Sequence, residues 1–311
     1  MNLRFFLFSI VLMLGLPAWG GDLRVGGAVT TRADVERAEA ILSGMNHLLG
    51  PAVTDCDACT IADAPVTTSD FLLYAARYLL GTSYVGGTLE AGDKEELRIS
   101  LTQTDCILFV ETCLDLARCK MLGYNDFSHF AEEVRQSRYR DGQIRGYGDR
   151  IHYTTEWIRR GEERGVVRDI TLDLGGIPSD RKIFYMSRNY KKYKHLSSAD
   201  TDPAVRRELD AVAAAEAELN RQPQTFIPTA QIPAAADKIR SGDIICFMSG
   251  VAGLDIAHVA VAYVRDGKVG FIHASQTGGK VMVDPLSIAA YAASRKNCPG
   301  IKVVRPSEKQ H

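Results

Sequence analysis

The chain has 311 residues, of which 46% are hydrophobic and 24% are charged. This composition is typical of a globular protein and excludes a disordered or low-complexity chain. Lys and Arg number 37 and Asp and Glu 38, so the net charge of -1 gives no global attraction to nucleic acid and no acidic tail. The mean hydropathy of -0.09 excludes a protein with many membrane spans. The length allows two domains, or one core with large insertions.

The N-terminus predicts export. A short positive start leads into an apolar stretch over residues 5–16, which Pro17 then breaks. This stretch is shorter than the ~20 residues that a helix needs to span a bilayer. We therefore predict a signal peptide over residues 1–20, cleaved near Gly20-Gly21 after small residues. The mature chain is expected in the periplasm or secreted, without stable membrane association. An uncleaved anchor is the alternative.

The seven cysteines all lie in the predicted mature chain. An odd number in an oxidising compartment leaves at least one thiol unpaired. Cys56 and Cys59 form a C-x-x-C pair, but their flanks indicate a loop rather than the βαβ context of a redox motif. A local disulfide or two free thiols fit this pair better than redox catalysis. A single C-x-x-C also supplies only two of the four ligands that a structural zinc site needs.

Apolar spacing, caps and breakers predict helices early in the chain and strands in its last part. The early elements are helices over 31–50, 71–80 and 106–122, a glycine-rich turn over 83–90 and a short strand over 97–101. The late elements are strands over 243–248, 257–264, 269–275, 280–283 and 300–304, and a helix over 286–294.

These elements predict an α+β fold with an antiparallel sheet. After the signal peptide, residues 21–311 are expected to form a single catalytic domain. Its core covers about residues 69–122 and 239–305, and a large, mainly helical insertion over about 123–238 interrupts it.

Cys106 is a candidate nucleophile. It follows Asp105, which is predicted to cap the helix over 106–122, and this helix is apolar nearly all round at its start. A helix N-terminus carries partial positive charge and free N–H groups, which favour a thiolate and can hold an oxyanion. We therefore predict a thiol preactivated for nucleophilic attack. A buried structural cysteine is the alternative.

His258 and His273 lie in two predicted strands, and the hairpin signal Asp266-Gly267 connects them. A two-residue turn there places both histidines on one face as diagonal neighbours, about 7–8 Å apart at Cα. Side chains at that distance can reach each other, which suits a base and the residue that orients it. Structural histidines, or a metal site completed by Asp255, are the alternatives.

The order of these motifs is similar to that of the NlpC-type cysteine peptidases, papain-like enzymes that cut bacterial peptidoglycan. The resemblance implies a papain-like fold in which a helix-borne Cys106 packs on an antiparallel sheet that carries both histidines. It implies Cys106 as nucleophile, His258 as base and His273 as the residue that orients it. The motifs are Asp105-Cys106, Ser241-Gly242-Asp243-Ile244-Ile245, His258-Val259-Ala260-Val261, Ile272-His273-Ala274-Ser275 and Ser83-Tyr84-Val85-Gly86-Gly87.

One departure from the usual pattern points to a branch of that superfamily. The usual motif continues Cys-Ser-Gly, whereas this chain continues Cys106-Ile107-Leu108-Phe109-Val110-Glu111. The variant resembles the N-acetylmuramoyl-L-alanine amidase-like family, formerly a domain of unknown function. Further matches to this branch lie at residues 87–90, 150–158, 184–187 and 253–258. Together the matches cover about residues 69–305.

This resemblance implies hydrolysis of the amide between N-acetylmuramic acid and L-alanine in peptidoglycan or muropeptides. Cys106 is expected to attack the lactyl carbonyl, with Asp105 and the Tyr84 hydroxyl helping to position the substrate and the oxyanion. His258 is expected to protonate the departing amine. Metals, cofactors and nucleic acid are not implied. The residues expected to bind the sugar or peptide are Thr88, Glu90, His152, Tyr153, Trp157 and Asp255. Core packing of the aromatic members is the alternative.

Three other functions stay open at this point. A γ-D-glutamyl-diamino acid endopeptidase would use the same chemistry, because specificity depends on subsite shape. A non-catalytic wall-binding module would not need Cys106, His258 and His273, which are all present. A thiol-disulfide protein would instead use Cys56 and Cys59.

Overall fold

The computed structural model describes residues 22–49 and 65–308. The predicted signal peptide and the pair Cys56 and Cys59 therefore lie outside the described residues. Within the described ranges, no helix is long and apolar enough to cross a membrane.

Helices and strands alternate along the described chain, so the mixed α+β architecture predicted from the sequence is confirmed. The helices are α1 (Arg32–Gly44), α2 (Thr68–Tyr78), α3 (Cys106–Met121), α4 (Phe127–Arg138), α5 (Thr154–Glu163), α6 (Tyr185–Arg188), α7 (Pro203–Leu219), α8 (Ile232–Ala236) and α9 (Ile288–Ser294). The strands are β1 (Leu23–Val25), β2 (Ala28–Thr30), β3 (Ser83–Tyr84), β4 (Gln103–Thr104), β5 (Val167–Asp169), β6 (Ile177–Ser179), β7 (Gln224–Pro228), β8 (Ile244–Met248), β9 (Ile256–Arg265), β10 (Lys268–Ser275), β11 (Lys280–Val283) and β12 (Gly300–Pro306).

One large sheet organises the described residues. Its strand order is β4-β3-β11-β10-β9-β8-β12-β7-β6, and β5 pairs with β12. The pairings are antiparallel, except that β3 and β4 run parallel. β1 and β2 form a separate antiparallel pair. The five strands predicted late in the chain correspond to β8, β9, β10, β11 and β12.

The hairpin between β9 and β10 has the predicted turn and register. Asp266 has a φ of 52° and Gly267 a φ of 71°, and a two-residue turn of this kind requires positive φ at both positions. The pairing then runs from Lys268 opposite Arg265 to Ile272 opposite Val261. This register fixes which face of the sheet each histidine occupies.

The central strands are covered on both faces. Ile244 and Cys246 of β8 pack into a cluster with α2 and α3, whereas Ile245 and Phe247 pack into a cluster with α8 and α9. Successive side chains of a strand point to opposite faces, so strands covered on both faces become apolar runs. This explains why β8 is apolar at every position.

The insertion predicted over 123–238 contains α4 to α8, and it also supplies β5, β6 and β7 to the large sheet. These strands were not predicted, because segments of three to five residues are too short to show an alternating pattern. The insertion has a core cluster of its own. Its members include Tyr147, Tyr153, Met186, Leu196 and Val212.

Two helix boundaries differ from the prediction. The helix predicted over 31–50 ends at Gly44 and continues only as a 3₁₀ turn over Met45–Leu48. The next helix was predicted to begin with Ser69 or Asp70 as its cap. Thr67 caps it instead, and the Asp70 carboxylate closes a capping box by accepting from the Thr67 backbone N–H.

The strand predicted over 97–101 is wrong. Within it, Arg98 makes a single bridge, to Val29. The buried Asp34 carboxylate of α1 accepts from the Leu101 and Thr102 backbone N–H groups at 2.7 and 2.9 Å. Backbone groups bonded to a side chain are not free to extend a strand. α1 thus holds the loop that leads through β4 into Cys106.

Candidate active site

A pocket of about 260 Å³ opens where the N-terminal end of α3 meets the start of β9. α3 contributes Cys106 to its lining and β9 contributes His258, while the insertion forms the facing side. Predicted site residues in the lining are Glu90, Asp105, Cys106, His152, Tyr153, Trp157, Asp255 and His258. The fold therefore brings most of the predicted site residues into one cavity.

Cys106 is the first residue of α3, as predicted. The Asp105 side chain caps the helix by accepting from the Leu108 backbone N–H at 3.0 Å. Cys106 is a half-buried free thiol. The Val259 backbone N–H lies within hydrogen-bond reach of it and favours its ionised form. The thiol thus has donors from both α3 and β9 around it.

The predicted preactivation of the thiol is not what the structure shows. Burial, and secondly the negative charge of Asp105, raise the pKa of Cys106 to about 12. Backbone N–H groups lower the pKa, but their effect is smaller than that of burial. Desolvation disfavours a charged thiolate more strongly than the helix end favours it. Cys106 is therefore a neutral thiol before substrate binds, and it needs a base.

His258 and His273 are bonded to each other, as the hairpin register predicts. The distance from His258 Nε2 to His273 Nδ1 is 2.6 Å, and the two rings meet edge to face at 87°. Both rings also pack against Tyr291 of α9. The contact fixes the orientation of the His258 ring and leaves Nδ1 as its other nitrogen.

Both imidazoles are neutral near pH 7. Burial lowers the pKa of His258 well below its usual value, and the neighbouring His273 and the Arg295 guanidinium add to this effect. Burial also lowers the pKa of His273 to about 4, while the Asp284 carboxylate acts in the opposite direction. A neutral imidazole can accept a proton, so His258 can serve as a base toward a neutral thiol.

Asp284 is a part of this site that sequence reasoning missed. Its Oδ2 lies 3.2 Å from His273 Nε2, close enough to favour a proton on that nitrogen, although the ring N–H is not well aligned for a hydrogen bond. Its Oδ1 accepts from the Leu286 backbone N–H at 2.8 Å. The signal was the register of β10 with β11, since Asp284 follows Val283 opposite Ile272. Extending that ladder by one residue places Asp284 diagonally from His273.

Tyr84 and Thr88 lie outside the pocket lining. Burial, followed by the neighbouring Cys106 and Asp105, raises the pKa of Tyr84. Its hydroxyl therefore keeps its proton and stays a donor close to the thiol. Thr88 is buried and lines a smaller cavity beside Arg98 instead. The structure therefore brings Tyr84 near the nucleophile but does not bring Thr88 into the pocket.

The predicted binding residues on the facing side are mostly bonded within the protein. His152 Nε2 lies 2.9 Å from the Tyr147 carbonyl oxygen, and the Tyr153 hydroxyl donates to Glu216 at 2.7 Å. Asp255 accepts from the Thr155 backbone N–H at 2.7 Å and so caps the start of α5. Trp157 is 6% exposed and belongs to the main core cluster. These residues shape the pocket with few free polar atoms.

Two ion pairs in the lining, each formed by a buried arginine, were also missed. Arg138 donates to Glu111, with Nε 3.0 Å from Oε1, and Arg150 donates to Glu90. Both arginine side chains are 5% exposed. The signal in the sequence was weak. Glu111 and Arg150 belong to recognisable motifs, but nothing in those motifs indicates which residues they contact in the fold. The pairs make this side of the pocket rigid and charged.

Among the described residues, the side chains around His258 and His273 do not form a set of metal ligands. In the part of the chain that the structure describes, no group of three or more His, Cys, Asp or Glu side chains could hold a metal ion. Asp255, the expected third ligand, bonds to Thr155 rather than to either histidine.

Solved structures define the class of protein. An N-acetylmuramoyl-L-alanine amidase from Bacteroides uniformis is 32% identical with a TM-score of 0.70, and the match covers 77% of this chain and 99% of that one. A Bacteroides fragilis protein with a provisional xylanase name is 30% identical, with a TM-score of 0.67 and coverages of 74% and 99%. A Legionella pneumophila protein is 21% identical, with a TM-score of 0.63 and coverages of 89% and 97%, and supports the fold alone. The chain is an α+β protein of the amidase-like class.

The family follows from the sequence itself. The AmiA-like family model, described as N-acetylmuramoyl-L-alanine amidase-like, matches residues 74–301. That range includes Cys106, His258 and His273. No curated protein matches the chain significantly. The chain belongs to the N-acetylmuramoyl-L-alanine amidase-like family, which confirms the resemblance seen in its motifs.

Proposed function

We propose that this protein is a secreted cell-wall hydrolase that cleaves the amide between N-acetylmuramic acid and L-alanine of peptidoglycan or muropeptides by a Cys-His-His mechanism. The observation that carries the proposal is the pocket shared by Cys106 and His258, with His273 bonded behind His258. Membership of the amidase-like family supports peptidoglycan amidase chemistry. The name of the Bacteroides uniformis protein supports the same bond.

The reaction starts from a neutral thiol and a neutral imidazole. His258 Nε2 is occupied by His273, so Nδ1 takes the proton of Cys106. The sulfur then attacks the lactyl carbonyl carbon, and the carbonyl electron pair moves to oxygen. N–H groups at the start of α3 and the protonated Tyr84 hydroxyl stabilise this oxyanion. Substrate that fills the pocket also displaces water, which strengthens these contacts.

The tetrahedral intermediate then collapses. The bond from carbon to the L-alanine nitrogen breaks, and that nitrogen takes the proton from His258, which leaves an acyl group on Cys106. Water then attacks the thioester while His258 accepts one of its protons. Cys106 recovers its proton from His258 as the muramic acid leaves, and the proton of the new lactyl carboxyl group passes to the released amine, so the products are a carboxylate and an ammonium. Atoms and charge balance with one water consumed.

The proposal includes the fold and the location of the enzyme. A papain-like arrangement of NlpC type is supported by the packing of α3 against β9 and β10 and by the two histidines on one sheet face. Export to the periplasm rests on the pattern of residues 1–20.

The carboxylates of the pocket favour an amidase over a glycosidase. Glycosidases need one carboxyl group to donate a proton and another to act as base or nucleophile. Each pocket carboxylate here already serves as the partner of an arginine or a backbone N–H. The pairs are Glu90 with Arg150, Glu111 with Arg138, Asp105 with Leu108 N–H and Asp255 with Thr155 N–H.

Mass spectrometry of products from defined muropeptides identifies the bond. The proposed amidase releases a sugar with a free lactyl carboxylate and a peptide that starts with free L-alanine. A cut after D-glutamate would instead assign the γ-D-glutamyl-diamino acid endopeptidase. Binding without cleavage would assign the wall-binding module.

Cys106→Ala is expected to abolish hydrolysis and leave the fold intact, because it removes the nucleophile from a helix that packing holds in place. Cys298→Ala is the matched control, since this free thiol lies outside the pocket and its loss leaves hydrolysis unchanged. Activity retained by Cys106→Ala would refute the mechanism. Complete inhibition by a chelator, reversed by zinc, would refute metal-free chemistry. Joint replacement of Cys56 and Cys59 tests the thiol-disulfide alternative, and hydrolysis is expected to persist.

A further inference from the structure

The two histidines of the site can share their protons in two ways. A neutral imidazole carries one N–H, and the hydrogen bond between His258 Nε2 and His273 Nδ1 needs a donor on one side and an acceptor on the other. If His273 donates, His258 carries its proton on Nδ1 and cannot accept one there. If His258 donates, its Nδ1 is a free lone pair. Only the second arrangement gives Cys106 a base.

We infer that Asp284 is the positioning residue that selects this second arrangement. The inference rests on the proposed function only in assigning the base to His258. The Asp284 Oδ2 faces His273 Nε2 at 3.2 Å and favours the tautomer that carries the proton there. His273 Nδ1 is then the acceptor, His258 Nε2 becomes the donor, and His258 Nδ1 is left free. The carboxylate thus acts on Cys106 through two imidazole rings.

The residues around His273 and Asp284 leave the carboxylate as the main influence on the proton at His273 Nε2. The His273 side chain is 1% exposed and that of Asp284 is 11% exposed, so water competes little for Nε2. The Leu286 backbone N–H binds the other carboxylate oxygen and fixes the orientation of the group. Arg295 lies over the Tyr291 ring and adds a positive charge beside both histidines. That charge disfavours protonation of the histidines to imidazolium, and the negative charge of Asp284 offsets this effect at His273.

The same backbone N–H makes Asp284→Asn an informative variant. The Leu286 N–H donates its hydrogen bond to an oxygen, so the amide oxygen of the new side chain takes the place of Oδ1. The NH₂ group then faces His273 Nε2 and donates to it. His273 must carry its proton on Nδ1, and His258 must carry its own on Nδ1 as well. The variant therefore inverts the tautomers while leaving the shape of the site unchanged.

Nitrogen NMR of protein labelled in its histidines reports the tautomers without any substrate. Single replacements of the other histidines assign the signals. At pH 7.5 we expect both His258 and His273 in the Nε2–H form in the native protein, and both in the Nδ1–H form in Asp284→Asn. A native His258 in the Nδ1–H form, or tautomers unchanged in Asp284→Asn, would overturn the inference.

Kinetics give the second readout. Asp284 does not line the pocket, so Asp284→Asn is expected to lower kcat by roughly 10²–10⁴-fold with KM within about twofold of the native value. Asp266→Asn is the matched control, because it changes an exposed aspartate at the tip of the same hairpin and is expected to change neither. An unchanged kcat in Asp284→Asn contradicts the inference. Failure of the native protein to cleave muropeptides contradicts the proposed function instead, and the NMR result still decides the role of Asp284.

Discussion

The two sides of the active-site pocket use polar residues in opposite ways. We call Cys106 and His258, with His273 behind them, the reactive wall. The passive wall is a second set of lining residues, Glu90, Glu111, Arg138, Arg150, His152, Tyr153 and Trp157. Both walls combine buried and half-buried residues, both carry ionisable groups, and both face the same cavity. They differ in where their hydrogen-bonding atoms point.

The reactive wall keeps atoms available. Cys106 is a free thiol, and His258 uses one ring nitrogen toward His273, which leaves its other nitrogen for the thiol. The polar atoms of the passive wall are used in hydrogen bonds within the protein. Arg138 and Arg150 are bonded to carboxylates, and Tyr153 is bonded to Glu216. Proximity to the nucleophile therefore does not distinguish a chemical role from a structural one, whereas the availability of an atom does.

The largest expected effect is on the reactive wall. His258→Gln removes the base, and we expect kcat for muropeptide hydrolysis to fall by roughly 10³-fold or more with little change in KM. His152→Gln changes the histidine of the passive wall and is expected to affect kcat by less than about tenfold. His129→Gln, at an exposed position on α4, serves as the control for histidine loss. Equal losses of kcat in the two pocket variants would end the distinction between the walls.

The passive wall is expected to matter first for stability. The Arg150 side chain lies 3.6 Å from Glu95, which is 4% exposed, and also bonds to Glu90. Arg150→Met leaves Glu95 buried without its cation, so we expect the free energy of unfolding to fall by roughly 3–5 kcal/mol. Urea unfolding at pH 7 measures it. Adding Glu95→Gln is expected to recover part of the loss.

A surface pair provides the control for that variant. Arg145 is 71% exposed and pairs with Asp149, so Arg145→Met is expected to change the free energy of unfolding by less than about 1 kcal/mol. A similar result for Arg150→Met would show that the buried pair is not what holds the passive wall.

The reactive wall makes stability depend on pH. The pKa of His273 is about 4 in the folded protein, below the ~6.5 expected in the unfolded chain. Between these values the unfolded chain binds a proton that the folded protein does not, so the contribution of His273 to stability is full above pH 6.5 and is lost as the pH falls toward 4. From pH 7 to pH 5 this loss is about 2 kcal/mol.

Comparison with His273→Gln isolates this effect from other groups. Burial raises the pKa of Asp105 to about 6, and that shift stabilises the folded state on acidification, with the opposite sign. Both proteins share Asp105, so the difference between their unfolding free energies at pH 7 and pH 5 reports His273. A difference that stays constant with pH would contradict the neutral histidine pair.

The sequence predicted the reactive wall better than the passive wall, for physical reasons. Cys106 is marked by a helix cap, and His258 and His273 are related by a two-residue turn that fixes their register. The helix cap and the turn are both signals that a short stretch of sequence contains. The same reasoning could have found Asp284, because extending the pairing of β10 with β11 by one residue beyond Val283 places it diagonally from His273.

The passive wall depends on contacts between distant parts of the chain. Arg150 meets Glu90 across 60 residues and Tyr153 meets Glu216 across 63, and no periodicity relates such positions. The same limit applies to β5, β6 and β7, which are too short to show a pattern and join the sheet through tertiary packing. Sequence reasoning also weighed the helix dipole at Cys106 without the desolvation that only the folded structure reveals.

The variant with the smallest expected effect tests whether the hydrogen bonds of the passive wall persist during the reaction. The Tyr153 hydroxyl donates to Glu216 and accepts from the Met186 backbone N–H at 2.8 Å. Tyr153→Phe leaves that N–H without a partner, so we expect thermal or urea unfolding to show a loss of about 1–3 kcal/mol, with kcat nearly unchanged. Tyr78→Phe, at an exposed tyrosine on α2, is expected to be neutral. A large fall in kcat for Tyr153→Phe with normal stability would mean that its hydroxyl turns to the substrate during the reaction, and the wall would no longer be passive.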